Sequence, residues 1–266
     1  MDYLVFFDLE TSGLNPDEHA IIEVGALAVS LPDFEVVDTF EAKVAFKIEN
    51  AESGALLMNS YASVLPEEVH AALRREYDER KAHTLKGEEV LSPESRVLLE
   101  SYYPMYMKEA RGPRPVARDL AAFFVRYGSV LKRSRHNKQY YVARLAGHNI
   151  IRFDLPFLQN WFKRLGDFLP ADYFAVDTLQ MAITAHIFKN AGYDSFKLLH
   201  LCEYHGIIAT QEHAALSDLY LTAALAHALA YGYIHDNELS QNVETQAERL
   251  WELAQTSLES ASNEEA

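Results

Sequence analysis

The sequence predicts an α/β chain: a mixed sheet flanked by helices, with a helical insertion in its first half and an amphipathic helix at its C-terminal end. Three observations carry this. Near the start, residues 3–8, 21–30 and 35–46 are strand-like runs separated by the turn stretches Gly13-Leu14-Asn15-Pro16 and Leu31-Pro32-Asp33. Beyond residue 112, short apolar runs alternate with segments of helical periodicity. A chain of 266 residues with 49% hydrophobic content can also bury one substantial core.

Each element has its own signal. The first run ends in Phe6-Phe7-Asp8-Leu9-Glu10, apolar residues closed by two acids. A helix over about 116–127 places Leu120, Phe123, Phe124 and Tyr127 on one face. A strand at 141–147, a helix at 154–165 and a short strand at 175–177 follow, then helices at about 178–191, 197–205 and 214–231. Residues 61–112 form the insertion. Pro66-Glu67-Glu68 opens one helix, to about residue 81, and residues 93–109 form a second that Pro104 interrupts. The aromatic-rich stretch Tyr102-Tyr103-Pro104-Met105-Tyr106-Met107 is not a disorder composition. An ordered insertion here could cap a substrate, bind a partner or add core. At the end, Val243, Ala247, Leu250, Trp251, Ala254 and Leu258 make an amphipathic stripe. It would dock on the protein's own core or serve as a partner or dimer contact. Residues 1–235 thus read as one domain and 236–266 as an acidic helix and tail.

Composition excludes several classes. No run of about 18 apolar residues offers a membrane span. The N-terminus lacks a basic stretch and runs straight into the first strand, so it reads as part of the fold and not as a signal peptide. A lone cysteine, Cys202, cannot form an intrachain disulfide and reads as a buried, inert thiol. A cytoplasmic, reducing setting is expected. The net charge of −15 is unevenly distributed. Residues 104–144 hold ten Lys or Arg against Glu109 and Asp119, whereas residues 236–266 hold eight acids against Arg249. The cluster Lys132, Arg133, Arg135 and Lys138 is expected to contact a phosphate backbone, the alternative being a solvated surface.

The chemistry lies in three separated segments. Asp8 and Glu10 are two residues apart on a strand and therefore share a face. Asp154 follows His148-Asn149-Ile150-Ile151-Arg152-Phe153 and opens a helix. His213 lies just over one turn before Asp218 at the start of a long apolar helix. Four convergent carboxylates would raise one another's pKa unless cations neutralised them. Hard divalent ions take such oxygen ligands, and a pair of them can clamp both oxygens of a phosphoryl displacement. These residues predict a metal-dependent phosphodiesterase site.

These motifs resemble those of the DEDDh (DnaQ-like) exonuclease superfamily: Asp8-x-Glu10 with Thr11-Ser12-Gly13, Asn149 with Phe153-Asp154, and His213 five residues before Asp218. Ile22-Glu23-Val24-Gly25-Ala26, Met58-Asn59 and Val176-Asp177-Thr178-Leu179 agree with it. The resemblance implies a ribonuclease-H-like fold opening on three antiparallel strands, and two Mg²⁺ or Mn²⁺ ions per site. Asp8, Glu10, Asp154 and Asp218 would hold the metals, with His213 as general base. Thr11, Gly13 and Leu14 would grip the terminal nucleotide, with Phe153 or Phe157 as further apolar contacts. For Leu14, packing in the core is the alternative reading. His148 and Asp177 are expected to be structural. The implied activity is 3′–5′ hydrolysis at single-stranded DNA or RNA ends, DNA slightly preferred, releasing nucleoside 5′-monophosphates. RNA 3′-end trimming is the alternative, and a non-catalytic interaction module on the same fold is a further class.

Overall fold

The computed structural model describes residues 2–85, 87–207 and 215–231. His213 and the amphipathic stripe from Val243 to Leu258 lie outside the described residues.

The three opening runs form a meander. β1 (Asp2–Thr11) pairs antiparallel with β2 (Ile21–Leu31), and β2 pairs antiparallel with β3 (Val36–Lys43). The β1–β2 ladder continues through Glu10 opposite Glu23, so β1 outlasts the apolar run that announced it. After the insertion, α5 (Pro113–Arg126) crosses one sheet face, starting at a proline that needs no backbone donor in a first turn. The first four helices, all preceding α5, are α1 (Ser53–Met58), α2 (Glu67–Lys81), α3 (Pro93–Ser101) and α4 (Tyr103–Glu109). As expected, Pro104 stands in the first turn of a new helix, α4, and α3 stops before it.

The single strand expected over 141–147 is divided, and the basic cluster before it lies on a hairpin. β4 (Val130–Arg133) and β5 (Gln139–Val142) form a separate hairpin, and β6 (Leu145–Gly147) joins the main sheet beside β1 in parallel. Then come α6 (Asp154–Leu165), β7 (Val176–Asp177), α7 (Thr178–Lys189), α8 (Leu198–Tyr204) and α9 (Ala215–Tyr231). The main sheet runs β3-β2-β1-β6-β7, with β1, β6 and β7 parallel. Their C-terminal ends therefore lie together at one end of the sheet.

Alternation on β1 divides the core. Leu4 and Phe6 join Leu27 and Val29 on one face, covered by Leu219, Ala223 and other residues of α9. Val5, Phe7 and Leu9 take the other face, against Leu120 and Phe124 of α5 and Phe157 and Leu158 of α6. A third cluster seats the insertion: Tyr61, Leu56, Leu57, Leu99 and Tyr106 bury against Ile22 and Phe46. All five are essentially inaccessible, and full burial of a large apolar side chain contributes about 1.5–3 kcal/mol. The Tyr106 hydroxyl donates to the Ile22 carbonyl at 2.5 Å, and that of Tyr61 to the Leu99 carbonyl at 2.8 Å. The insertion is thus an integral third core beside the strand that carries Glu23.

Candidate active site

Alternation puts Asp8 and Glu10 on the same face as Leu4 and Phe6, the face α9 covers. Both are half-buried. Opposite Asp8 stands Gly25, which puts no side chain before the carboxylate, and opposite Glu10 stands Glu23. Asp218 sits in the first turn of α9 above this face. Asp154 comes from the first turn of α6. It is buried, and one carboxylate oxygen accepts the Leu9 backbone N–H at 3.1 Å. The pairing of β1 with β6 covers Val5 and Phe6, so at Leu9 a side chain takes over a donor the short strand does not reach.

The electrostatics tie the four acids together. Burial, then the charges of Asp218 and Glu23, push Asp8 up to about 7. Burial, then Asp8, Glu23 and Asp218, push Glu10 up to about 9. Asp154 is also held well above the usual carboxylate range, by burial and then by Asp8. Acids that raise one another in this way lie within each other's fields. As placed, no three His, Cys, Asp or Glu side chains among the described residues form a group that could hold a metal ion. The donor set still suits a hard divalent cation, since it consists of carboxylate oxygens whose mutual repulsion such an ion would relieve.

Glu23, in a segment that agrees with the motifs but has no assigned role in the site, joins the four acids. It is buried, its Oε2 has no hydrogen-bond partner, and burial raises its proton affinity. What finds it is the strand register: with β2 paired to β1, Glu23 faces Glu10.

The segment after β1 is tightly tied. Thr11 is buried, its hydroxyl donates to the Gly13 carbonyl at 2.8 Å, and its own carbonyl accepts Asn59 Nδ2 at 2.7 Å. A Cβ on Gly13 would meet the His19 ring at 2.5 Å, so the close approach requires glycine. That ring is held by the Asn15 N–H, donated to Nδ1 at 3.0 Å. Leu14 projects outward and is 72% exposed, which removes its reading as a core residue. Phe153 keeps part of its surface accessible. Phe157 corrects the expectation: it is 0% exposed in the core, its ring tilted against that of Phe153 at 5.1 Å, because it lies on the inward face of α6. No nucleotide can touch it there.

Other residues settle into structural roles. Asp177 accepts the N–H groups of Asn149, Ile151 and Leu179, shaping the turn before α6 and capping α7. Asn149 adopts φ +62°, a left-handed conformation that Asn tolerates. Both ring nitrogens of His148 are engaged, by Thr178 at 2.8 Å and the Phe196 carbonyl at 3.1 Å. Cys202 is buried, and burial pushes its thiol up to about 12. Lys132, Arg133, Arg135 and Lys138 are not brought to the carboxylates. Their hairpin lies at the opposite end of the sheet, where the Ser129 hydroxyl donates to the carbonyl of Tyr3 at the start of β1. Among the described residues no helix is long and apolar enough to cross a membrane.

No family model matches the sequence, and no curated protein matches it. Solved structures do match. The chain is similar to Escherichia coli exonuclease I bound to a dT13 oligonucleotide, at a TM-score of 0.54 and 18% identity over 85% of this chain and 40% of that one. A product-bound structure of exonuclease I matches at a TM-score of 0.55 and 18% identity, over 95% of this chain and 46% of the other. The chain spans less than half the length of these nuclease chains. The ribonuclease-H-like fold implied by the sequence motifs is the fold found: a mixed five-stranded sheet flanked by helices, shared with exonuclease I.

Proposed function

We propose that this chain is a metal-dependent 3′–5′ exonuclease acting on single-stranded ends, DNA in preference to RNA, and releasing nucleoside 5′-monophosphates. Residues 1–235 would form the nuclease domain. The observation that carries the reading is geometric: Asp8 and Glu10 share one strand face, Asp154 accepts the N–H of Leu9 between them, and Asp218 stands in the first turn of the helix that covers that face. The structures of exonuclease I with single-stranded oligonucleotides support the substrate class.

Asp8, Glu10 and Asp218 would hold one divalent ion, with Asp8 shared with a second that Asp154 orients. Bound there, such ions would activate a water and neutralise charge developing on the phosphoryl oxygens. The chain's own contribution is rigidity. The β1 register fixes Asp8 relative to Glu10, and the Leu9 N–H fixes one oxygen of Asp154. His213, five residues before Asp218, would take the proton of the attacking water. Leu14, exposed beside the buried Thr11, would wedge the terminal nucleotide from its neighbour, with Phe153 as an apolar contact. Thr11 and Gly13 would offer backbone groups to the terminal nucleotide, on a turn that the His19 ring packs against. Lys132, Arg133, Arg135 and Lys138 would act on a distant part of the strand.

The test is degradation of matched 5′-labelled DNA and RNA oligonucleotides, with Mg²⁺ or Mn²⁺ and with chelator. Stepwise shortening from the 3′ end that requires the ion and is faster on DNA is expected. Faster shortening of RNA would favour the end-trimming alternative, and an inert chain would remove the reading.

A further inference from the structure

The hairpin of β4 and β5 ends in Arg133-Ser134-Arg135-His136-Asn137-Lys138, and it is not a free flap. Ala143, just after it, donates to the Pro170 carbonyl at 2.9 Å and accepts the Asp172 N–H at 2.8 Å. The Asp172 side chain, 1% exposed, takes Lys132 at 2.8 Å and Arg144 at 3.3 Å. The hairpin and the segment before β7 are thereby clamped into one surface.

That surface exposes aromatic rings. Lys132 and Tyr140 are directly paired across the hairpin and so share a face. Tyr140 meets Phe168 edge-on at 6.0 Å, Lys132 Nζ lies 5.1 Å from the Tyr173 ring centre, and Tyr173 packs on Phe174 at 4.3 Å. Phe168, Tyr173 and Phe174 are 65%, 67% and 60% exposed. Exposed apolar rings in a cluster mark an interaction site. Rings interleaved with cations, beside a basic hairpin tip, fit one partner chemistry best, because bases stack on aromatic faces while phosphates meet the charges. An acidic or apolar protein surface would use only one of these two features.

We infer that the Tyr140–Phe168–Tyr173–Phe174 surface is a second, sequence-tolerant binding platform for single-stranded nucleic acid, at the end of the sheet opposite the carboxylates. The inference rests on the exonuclease reading for its biological sense: the platform holds the body of a strand whose 3′ end lies at Asp8. Ser129 joins the base of the hairpin to Tyr3, five residues before Asp8 on β1, a separation of roughly 17 Å at about 3.3 Å per residue. A strand rising about 3.4 Å per nucleotide therefore needs about five or more nucleotides to reach both.

The experiment is binding of 5′-fluorescein oligothymidylates of about four and about sixteen nucleotides to the full chain, by anisotropy in EDTA. Hydrolysis is then blocked and the carboxylates repel phosphate. The long strand is expected to bind clearly tighter than the short one. Phe168→Ser, Tyr173→Ser and Phe174→Ser together should weaken the long strand by at least about tenfold, since each stacked base lost is worth roughly fivefold or more. The loss for the short strand should be much smaller, and Tyr173→Trp should keep the affinity. These rings are exposed, so far-UV circular dichroism and the melting temperature should be unchanged. An unchanged long-strand affinity in the folded triple variant would overturn the platform and leave the surface to a protein contact. An equal loss on both lengths would overturn it too. The nuclease reading is judged separately: ion-dependent shortening with no platform effect sinks only the platform, and platform binding with no shortening under any ion sinks only the nuclease.

Discussion

Glu23 stands directly opposite Glu10 across the β1–β2 ladder, on the face that carries Asp8. It raises the proton affinity of both, after burial itself and then the charge of Asp218 for Asp8 and of Asp8 for Glu10. Replacing Glu23 by Gln keeps its shape and removes that charge. The metal-free protein should then melt at a higher temperature at about pH 10, above the values of both Asp8 and Glu10, where the charge of Glu23 acts on two ionised neighbours. At pH 4, where the carboxyls are protonated, the two proteins should melt alike. An equal shift at both pH values would mean that packing, not charge, is responsible.

The same repulsion sets a pH dependence for the whole metal-free fold. Asp8 and Glu10 titrate at about 7 and about 9 when folded, against ordinary values of 3.8 and 4.5. Between these values the folded chain retains protons that the unfolded chain has released, so stability falls as pH rises. Their contribution is fully present below about pH 4 and lost by about pH 9. Melting scans in chelator should fall over this window, and Asp8→Asn should flatten the fall. Added Mg²⁺ should restore the melting temperature at high pH. A wild-type profile matching that of Asp8→Asn would contradict the coupling.

Leu14 separates grip from stability. At 72% exposure it contributes little to the core, so Leu14→Ala should change stability by no more than about 0.5 kcal/mol. If it wedges the terminal nucleotide, kcat/KM on single strands should fall several-fold. Chemical melts beside steady-state assays decide this, and a stable variant with full activity would return Leu14 to an ordinary surface residue.

His213 lies five residues before Asp218 in the sequence. His213→Ala should slow turnover by about 10²–10⁴-fold and remove the limb of the pH–rate profile that reports a base near neutrality. An unchanged profile would exclude the role.

Much of this was legible in the sequence because periodicity carries direction. Two-residue spacing alone put Asp8 and Glu10 on one face, and the helix read over 154–165 placed Asp154 at its start. Glu23 needed the pairing register, a long-range fact that a strand pattern does not contain. Phe157 was misread because nearness in sequence to Asp154 says nothing of the helix face, and its face points into the core. The β4–β5 hairpin escaped notice because its strands are four residues long and largely exposed, so no buried alternation marks them. For the same reason the distance between the basic cluster and the carboxylates became visible only in the fold.

The most direct test of the central claim, that Asp8, Glu10, Asp154 and Asp218 form one cation site, is Mn²⁺ binding counted by electron paramagnetic resonance with deoxythymidine 5′-monophosphate present. The wild-type chain should hold about two ions, whereas Asp8→Asn or Asp218→Asn should lose at least one while remaining folded. No Mn²⁺ binding in the wild type, or the same number bound by the variants, would contradict it.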